Sequence, residues 1–441
     1  MQFPKTFYLR TYGCQMNELD SELVVGLLEK RGLKRIEQED EADLLLLNTC
    51  AVREMAEKKV VGKLEEIFHK GKKGLIGVLG CLPVAKKDFF LKKFPHIDFL
   101  VGPKQLPDLL SILDQAVLQK KSVHLDSAAA LEIDYTCAKR ESSIKAYVSI
   151  MQGCNKYCTY CIVPYTRGKE ISRPLASILE EVERLVALGY QEVTLLGQNV
   201  NSYGKDLPDQ KTLFPDLLYA LDHTGIKRIR FMTSHPIDIS IDLMHAIRDL
   251  ASVCEFVHFP LQSGSNRILE KMHRIYTKED YLEKVELLRS IVPEVALGTD
   301  IIVGFPTETE EDFLETLTLF EQVRFATAFI FAYSPREKTP AARWVDDIPL
   351  KIKEERLQRM LSLFRTIDQQ EKEKELGKTV EILVERFNKD LQKLKGKTKR
   401  AEKVIFDGNA SLIGTLQNIR LESLSHQTFL GKLIDPTILP T

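Results

Sequence analysis

Tryptophan, cysteine and long apolar runs are all scarce in this chain. Its 441 residues contain 1 Trp and 8 Cys, too few thiols for an extracellular disulfide framework of this length. The longest apolar runs, such as Leu44–Leu47, are much shorter than a membrane span, and Met1–Lys5 show no apolar signal region. We therefore expect a cytoplasmic protein without a membrane anchor, whose cysteines bind ligands and do not form bridges.

An excess of positive charge is also missing. The formal net charge is −1, which excludes a global electrostatic attraction to nucleic acid, so any such contact must come from a local patch. One stretch qualifies, with eight basic residues against Asp390 and Glu402. The basic residues are Arg386, Lys389, Lys393, Lys395, Lys397, Lys399, Arg400 and Lys403. They would neutralise RNA phosphates without reading sequence, and a solvated loop kept soluble by its charge is the alternative.

Three of the cysteines stand close together in the pattern CxxxCxxC. They are Cys154, Cys158 and Cys161. Three thiolates leave one coordination position open, whereas a structural zinc site is closed by four protein ligands. The spacing favours an iron–sulfur cluster with one iron free to bind a small molecule. A zinc knuckle completed by a distant His or Cys is the alternative.

A second set of thiols shares a position relative to apolar strands. Cys14, Cys50 and Cys81 each follow closely on a predicted strand, and in a parallel sheet they would meet at one carboxyl edge. Open α/β sheets bind ligands at that edge, so a second three-cysteine cluster is predicted. Three buried core cysteines are the alternative. We expect Cys254 to lie in the core and Cys137 to be an incidental linker thiol.

The order of apolar runs and amphipathic segments predicts an α/β chain of three parts. Residues 1–120 alternate short strands with helices, as in a small parallel-sheet α/β domain, and the polar residues 121–140 are predicted to be a linker. Residues 141–368 contain six strand–helix units, which suggests a partial (β/α)6 barrel. Residues 369–441 change to short β-like runs and suggest a small all-β barrel.

Polar residues follow the strands of the predicted central barrel where each strand ends. Active sites of such barrels lie at these exits, so the recurrence predicts a binding face. A solvated loop position is the alternative for any single residue, and His235 could equally be structural. The candidates are Gln198, Asn199, Ser234, His235, Gln262 and Asp300.

Together with the two thiol sets, several segments resemble the radical S-adenosylmethionine (SAM) methylthiotransferases, and the resemblance covers nearly the whole chain. The matching segments are Thr11–Asn17, Asp20–Glu22, Asn48–Glu54, Gly153–Cys154, Val163–Gly168, Leu196–Tyr203, Thr233–Pro236, Gln262–Ser265 and Thr299–Pro306. The C-terminal segment is similar to a TRAM domain, an RNA-binding barrel. Two departures, Leu82–Val84 and Thr307, affect only the local shape of loops.

The resemblance implies two [4Fe-4S] clusters. SAM would bind the open iron of the cluster on Cys154, Cys158 and Cys161, contacted by the six strand-exit residues, and reduction would cleave it to a 5′-deoxyadenosyl radical. That radical would act at C2 of N6-isopentenyladenosine, next to the anticodon of tRNA. An auxiliary cluster on the other three thiols would deliver the methylthio group, with a second SAM as methyl donor. No side-chain base removes such a hydrogen, so no general base is assigned.

The resemblance also implies partners and neighbours. The partners would be the tRNA anticodon stem-loop and a reductant such as a flavodoxin-type electron donor, with the protein a monomer. Tyr157 and Tyr160 are expected to pack over the cluster and limit solvent. Arg167 could pair with a carboxylate or phosphate near the cluster, or form a structural ion pair.

Other functions stay open at this point. Related enzymes act on threonylcarbamoyladenosine in tRNA or on an aspartate of a ribosomal protein, and a non-catalytic RNA-binding iron–sulfur protein is a different class. The segments Gln198–Tyr203 and Ser234–Pro236 favour the isopentenyladenosine substrate.

Overall fold

A computed structural model of the chain describes residues 3–71, 74–119, 121–126, 133–208 and 211–434. Ser127–Ala130, in the middle of the predicted linker, lie outside these ranges. Within them, no helix is both long enough and apolar enough to span a membrane.

The N-terminal part is a parallel sheet with helices on its faces. Its strands follow the order β2-β1-β3-β4-β5-β6, so the direction of winding reverses between β1 and β3. The all-buried strands β3 and β4 are the continuous apolar runs expected of a sheet covered on both sides. The elements are β1 Thr6–Tyr12, α1 Gln15–Lys30, β2 Lys34–Arg35, β3 Leu44–Thr49, α2 Glu54–His69, β4 Leu75–Gly80, α3 Cys81–Ala85, α4 Lys87–Lys93, β5 Phe99–Val101, α5 Leu109–Gln119 and β6 Ser122–His124.

Part of the segment 121–140, predicted to be a linker, belongs to the N-terminal part of the structure. Ser122–His124 pair in parallel with β5 and form the edge strand of the first sheet. Beyond the gap in the described residues, Ile133 and Tyr135 are buried in the same apolar core. Cys137 packs against this core as well, so residues 133–140 are a packed segment and not a free connection. The segment is mostly polar, so its few buried apolar residues could not be recognised from the sequence.

The central part is a partial barrel of six parallel strands. Two three-stranded sheets, β7-β10-β11 and β12-β13-β14, meet where Ile229 bridges Val253 in parallel. Apolar side chains on the outer face of the strands pack against the helices. The elements are β7 Lys145–Ser149, β8 Met151–Gln152, α6 Val163–Thr166, β9 Ile171–Ser172, α7 Leu175–Ala187, β10 Glu192–Leu196, α8 Phe214–Asp222, β11 Arg228–Phe231, α9 Ile241–Asp249, β12 Phe256–His258, α10 Asn266–Lys271, α11 Lys278–Ile291, β13 Ala296–Val303, α12 Glu310–Val323, β14 Thr327–Ala332 and α13 Leu350–Glu373. The (β/α)6 prediction is confirmed.

The C-terminal part is a small closed barrel with the strand order β15-β16-β17-β19-β18. Apolar side chains such as Val384, Phe406 and Phe429 fill it. Its strands are β15 Thr379–Asn388, β16 Lys393–Thr398, β17 Lys403–Phe406, β18 Leu416–Ser425 and β19 Thr428–Leu433. The all-β prediction is confirmed, and the basic segment supplies a full strand, β16, whose lysines alternate with buried Leu394 and Gly396.

Buried polar contacts join the three parts. Helix α1 packs against β7, and Arg140 pairs with Glu22 on one side and Glu181 on the other. On the far side of the central barrel, the Arg228 guanidinium donates to the Lys397 carbonyl at 2.7 Å. The N-terminal sheet and the C-terminal barrel are therefore each fixed to the central barrel by arginines.

Candidate functional site

The three N-terminal cysteines lie at one edge of the first sheet. Strands β1, β3 and β4 are neighbours, and their last residues, Tyr12, Thr49 and Gly80, are paired in register. Cys50 and Cys81 follow directly, and Cys14 comes two residues after its strand. Gly80 has φ 96°, and a Cβ there would lie 2.4 Å from the Thr49 carbonyl oxygen, so only glycine allows this turn. The structure therefore brings these three thiols together as predicted.

Two fully buried asparagines hold the same edge. The Asn17 side-chain oxygen accepts from the Cys14 backbone N–H at 3.2 Å, and its Nδ2 donates to Asn48 Oδ1 at 3.1 Å. Asn48 in turn donates to Ser21 Oγ at 2.9 Å. Because unpaired amides are costly inside a protein, this closed network fixes the loop that carries Cys14.

The thiols at the sheet edge affect one another. A hydrogen bond from Cys50, with further help from the charge of Arg167, lowers the pKa of Cys14 to about 6. The same hydrogen bond, together with burial, raises the pKa of Cys50 well above its usual range. Burial raises the pKa of Cys81, and the Arg167 charge opposes that shift. One thiolate is thus favoured at this edge even before any metal binds.

Arg167 belongs to the central part of the chain but lies beside these N-terminal thiols. Its Nη2 donates to Asp20 Oδ2 at 2.7 Å, both side chains are almost fully buried, and Tyr135 donates to the other oxygen of Asp20 at 3.2 Å. Among the described residues, Arg167 Nη1 is buried without a hydrogen-bond partner. The expected structural ion pair is present, but the thiols beside Arg167 are those of Cys81 and Cys14 and not those of the CxxxCxxC motif.

The thiols of Cys154, Cys158 and Cys161, here called the loop triad, lie within one tight loop. The thiols of Cys14, Cys50 and Cys81 are called the sheet-edge triad. Gly153 has φ 78°, and a Cβ on it would clash at 2.0 Å with the Lys169 carbonyl oxygen. The Cys154 N–H donates to the Gly168 carbonyl at 3.1 Å, and the Cys161 N–H donates to the Cys158 carbonyl at 2.9 Å. Burial raises the pKa of Cys154 and of Cys161 to about 12. Burial thus disfavours the free thiolate form of Cys154 and Cys161, and a bound metal would replace their protons.

A buried arginine also lies beside this triad. Arg274 Nη1 is 3.6 Å from Cys158 Sγ, and its Nη2 donates to the Pro260 carbonyl at 2.8 Å. Its Nε donates to the Tyr276 hydroxyl at 2.8 Å. Sequence reasoning missed Arg274, because a basic residue in the polar loop after α10 gives no sign that it is buried.

The tyrosines between the cysteines differ from each other. Tyr160 is packed edge-on against Phe305 at 6.5 Å between ring centroids, as a residue that limits solvent would be. Tyr157 is 42% exposed and has φ 49°, so it shapes the turn more than it covers the thiols.

Each donor set consists of three free thiols, which is the ligand chemistry of an iron–sulfur cluster with one open position. In the part of the chain that the structure describes, no group of three His, Cys, Asp or Glu side chains is arranged to hold one metal ion. Three thiols and one buried guanidinium at each site suit an anionic thiolate-bound cluster.

Three of the six strand-exit residues make internal hydrogen bonds. Gln198 Oε1 accepts from the Gly153 N–H and so positions the cysteine loop. Asn199 donates to Asp238 Oδ2 at 2.7 Å and accepts from the His235 N–H at 3.1 Å. Burial, with the nearby charges of Arg274 and Lys156, lowers the pKa of His235 to about 2. These three side chains support the shape of the exit loops.

The other strand-exit residues leave groups for a ligand. Within the described ranges, Ser234 Oγ is buried without a hydrogen-bond partner. Gln262 adopts φ 71° and pairs with β13 through Ile301, which places it next to Asp300. Both amide atoms of Asn201 are also buried and unsatisfied in this part of the structure. Asn201 was missed as a site residue, although it lies in the same polar run as Gln198.

The basic C-terminal segment divides into two faces. The Arg230 guanidinium binds the Lys399 carbonyl at 2.8 Å, and burial lowers the pKa of Lys397. Lys399 donates to the Ala251 carbonyl at 2.5 Å and therefore also faces the central barrel. Arg386, Lys389 and Lys403 are exposed to solvent, and the Lys393 side chain, 39% exposed, pairs with Asp407. The surface open to RNA is thus smaller than the sequence suggested.

The partial barrel and the CxxxCxxC loop are features of one superfamily of proteins. Residues 148–320 match the radical SAM superfamily, and residues 6–102 match the uncharacterized protein family UPF0004. The fold is similar to the radical SAM methyltransferase TsrM from Kitasatospora setae, with TM-score 0.57, 14% identity, and 77% of this chain and 74% of that chain covered. It is also similar to the cobalamin-dependent SAM radical enzyme OxsB, with TM-score 0.52, 13% identity, and 83% and 58% covered.

Sequence relatives narrow the class to one family. The chain is 56% identical to the tRNA-2-methylthio-N(6)-dimethylallyladenosine synthase of Protochlamydia amoebophila, over 98% of this chain and 97% of the relative. It is 47% identical to the synthase of the same name from Thermoanaerobacter pseudethanolicus, over 97% and 93%. The chain belongs to the family of tRNA-2-methylthio-N(6)-dimethylallyladenosine synthases.

Proposed function

We propose that this chain is the enzyme that adds a methylthio group to C2 of N6-isopentenyladenosine, next to the anticodon of tRNA. The relatives that share its whole length carry the name of that activity, and the radical SAM barrel is present. The enzyme uses SAM and [4Fe-4S] clusters, as its family does. The non-catalytic alternative is set aside by this membership.

One observation carries the proposal. Arg167 follows the CxxxCxxC loop by six residues, yet its charge lies against Cys81 and Cys14 of the other triad. This placement supports one site that spans the first sheet and the central barrel. A sulfur-inserting enzyme needs this arrangement, because the radical and the sulfur must reach the same carbon atom.

The residues divide into ligands and supports. Cys154, Cys158 and Cys161 would hold the cluster that binds and cleaves SAM. The auxiliary cluster is held by Cys14, Cys50 and Cys81. When bound, the clusters supply the electron that cleaves SAM and the sulfur that is inserted. The protein's own groups do the rest, since Gln198 and Arg274 fix the loop triad while Arg167 and the buried asparagines fix the sheet-edge triad.

SAM contacts are assigned at the strand exits. Ser234 and Asn201 would contact SAM through buried polar atoms that have no hydrogen-bond partner among the described residues, and the half-buried Asp300 with its neighbour Gln262 would complete the contacts. Asn199 and His235 would not contact SAM directly but would hold the exit loops in place through their hydrogen bonds.

The remaining assignments concern the larger assembly. Residues 369–441 contact the tRNA through the exposed Arg386, Lys389 and Lys403, while residues 1–120 and 141–368 form the catalytic unit. Helix α13 crosses the boundary at residue 368, so these units are not separated by a flexible link. The enzyme works as a cytoplasmic monomer and receives electrons from a flavodoxin-type donor.

Nucleoside analysis tests the proposal. Anaerobically reconstituted protein with dithionite and SAM is incubated with tRNA that carries isopentenyladenosine, and the digested nucleosides are separated by mass. We expect 2-methylthio-N6-isopentenyladenosine to form together with 5′-deoxyadenosine. Product only on threonylcarbamoyladenosine tRNA, or no 5′-deoxyadenosine, would contradict the proposed function.

A further inference from the structure

Two phenylalanines on the last strand of the central barrel are unusually exposed. Phe329 and Phe331 in β14 are each 42% exposed, whereas the alternating residues Ala328 and Ile330 pack against the outer core. In register, Phe329 pairs with Asp300 and Phe331 with Ile302. Because side chains alternate along a strand, both rings lie on the inner face of the barrel.

This inner face borders the opening of the partial barrel. Among the described strands, β14 pairs only with β13, so its other edge is open. The loop after Cys50 crosses that edge, with the Arg53 guanidinium 5.9 Å from the centre of the Phe329 ring. Arg336, just beyond β14, donates to the Val52 carbonyl at 2.9 Å. The two phenylalanines therefore stand opposite the loop that carries an auxiliary-cluster cysteine.

A buried histidine on the same face lacks partners. His258 is 5% exposed, and neither of its ring nitrogens has a hydrogen-bond partner in the described part of the chain. Its Nε2 lies 3.3 Å from Asp300 Oδ1 without the alignment of a hydrogen bond. The ring stands edge-on to Phe329 at 6.1 Å between centroids. Buried polar atoms are nearly always satisfied, so His258 is a group that a ligand would complete.

Contacts of neighbouring residues connect the same surface to both sets of thiols. Pro260, two residues after His258, is held through its carbonyl by Arg274, which also contacts Cys158. On the other side, Arg53 follows Cys50 by three residues. A base bound here would be reachable from both thiol sets.

We propose that Phe329 and Phe331 bind the apolar N6 substituent and the face of the substrate adenine, while His258 hydrogen-bonds to the base. The inference rests on the proposed function and names the part of the site that selects an apolar substituent. Exposed aromatic rings suit base stacking and a branched hydrocarbon. The Asp300 carboxylate beside His258 disfavours a substituent that carries its own carboxylate, such as threonylcarbamoyl.

Binding to matched RNAs tests this inference. Reconstituted holoenzyme is titrated with fluorescent anticodon stem-loops that carry isopentenyladenosine, unmodified adenosine or threonylcarbamoyladenosine. The variants are Phe331→Ala, Phe329→Leu and His258→Leu. Tyr219→Ala is the control, because Tyr219 is a similarly exposed aromatic (39%) on the outer helix α8. Iron content and circular dichroism report folding for each variant.

We expect the wild type to prefer the isopentenyl stem-loop over the unmodified one by at least tenfold, and Phe331→Ala to lose about tenfold of that ratio. Phe329→Leu should lose less, His258→Leu should weaken all three RNAs alike, and Tyr219→Ala should change nothing. An unchanged ratio in both phenylalanine variants would overturn the assignment of the two rings, even if affinity fell equally for every RNA. Unchanged binding of all three RNAs by His258→Leu would overturn the role of His258. If the wild type methylthiolates isopentenyladenosine but shows no binding preference, the inference fails while the proposed function stands.

Discussion

The two thiol triads each bring three cysteines together, but they do so with different backbone structures. One is a single loop of nine residues, Gly153–Cys161, whose turns are set by its own backbone. The other is assembled from three separate strands, and its cysteines are spread from Cys14 to Cys81. Each has a buried guanidinium beside it, but Arg274 contacts the loop triad from within the central barrel, whereas Arg167 reaches the sheet edge from a different part of the chain.

This difference shows how each site depends on the fold. The loop triad needs local turns and the barrel around it, so its integrity follows from one domain. The sheet-edge triad needs a parallel sheet in correct register and also the Arg167–Asp20 contact across two parts of the chain. We therefore expect the two triads to respond differently to loss of a thiol, of an arginine or of a neighbouring polar group.

The largest effect comes from removing single thiols. Cys158→Ala should abolish methylthiolation and the cleavage of SAM together, because the site that binds SAM loses a ligand. Cys81→Ala should abolish methylthiolation but leave SAM cleavage in place, since only the auxiliary site is damaged. Chromatographic assay of 5′-deoxyadenosine checks both. Loss of SAM cleavage in Cys81→Ala with full iron at the loop triad would contradict the division of roles.

The two arginines should differ in stability cost. Arg167→Met leaves Asp20 as an unpaired buried carboxylate and should lower the free energy of unfolding by about 3–5 kcal/mol. Arg274→Met leaves behind a carbonyl, a hydroxyl and the Cys158 thiol but no buried carboxylate, so about 1–3 kcal/mol is expected. Chemical denaturation of the apoproteins measures both. The double variant Arg167→Met with Asp20→Asn should recover part of the loss, and no recovery would contradict the ion-pair account.

The free energy of unfolding should fall at acidic pH because His235, near the loop triad, is buried without a proton. In the folded state its pKa is lowered to about 2, first by burial, against an ordinary value of 6.5. The unfolded chain therefore binds a proton that the folded protein does not, so this stabilising contribution is present above pH 6.5 and is lost as the pH falls below it. The expected loss is about 1.4 kcal/mol per pH unit. Denaturation of wild type and His235→Asn between pH 7.5 and 5.5 should show that their stability difference changes with pH. A constant difference would contradict this.

The smallest effect concerns the loop after β13. Thr307 adopts φ 71°, which strains a β-branched residue, so Thr307→Gly should raise the free energy of unfolding by about 1 kcal/mol. Thr309→Gly is the matched control, because Thr309 caps α12 by accepting from the Asp312 N–H, and its loss should destabilise slightly. Thermal unfolding reads both. Destabilisation by Thr307→Gly would show that its contacts with Arg267 outweigh the strain.

Much of the fold followed from periodicity. Continuous apolar runs such as Leu44–Leu47 and Leu75–Leu79 became buried parallel strands, and the six strand–helix units became the partial barrel. The linker prediction failed at Ser122–His124 because a three-residue edge strand has too few residues to show a period. Strand β16 was hidden by its lysines, which alternate with small or apolar residues that point inward.

The thiols were easier to predict than their surroundings. Cysteines that directly follow predicted parallel strands can be placed at one edge of the sheet from the sequence, because such strands end at the same edge. Arg167 and Arg274 depend on burial and on partners more than 100 positions away, such as Asp20 and Cys158, which a linear pattern does not reveal. His258 was missed for the same reason, since its lack of partners is visible only in three dimensions.

Iron counting on a triple variant tests the central claim, that one chain holds two separate clusters with separate tasks. Wild type and the Cys14/Cys50/Cys81 triple Ala variant are reconstituted anaerobically and assayed for iron, sulfide and 5′-deoxyadenosine. We predict about eight irons in the wild type and about four in the variant, which should still cleave SAM but form no methylthio product. An unchanged iron count in the variant, or methylthiolated tRNA from it, would contradict the account.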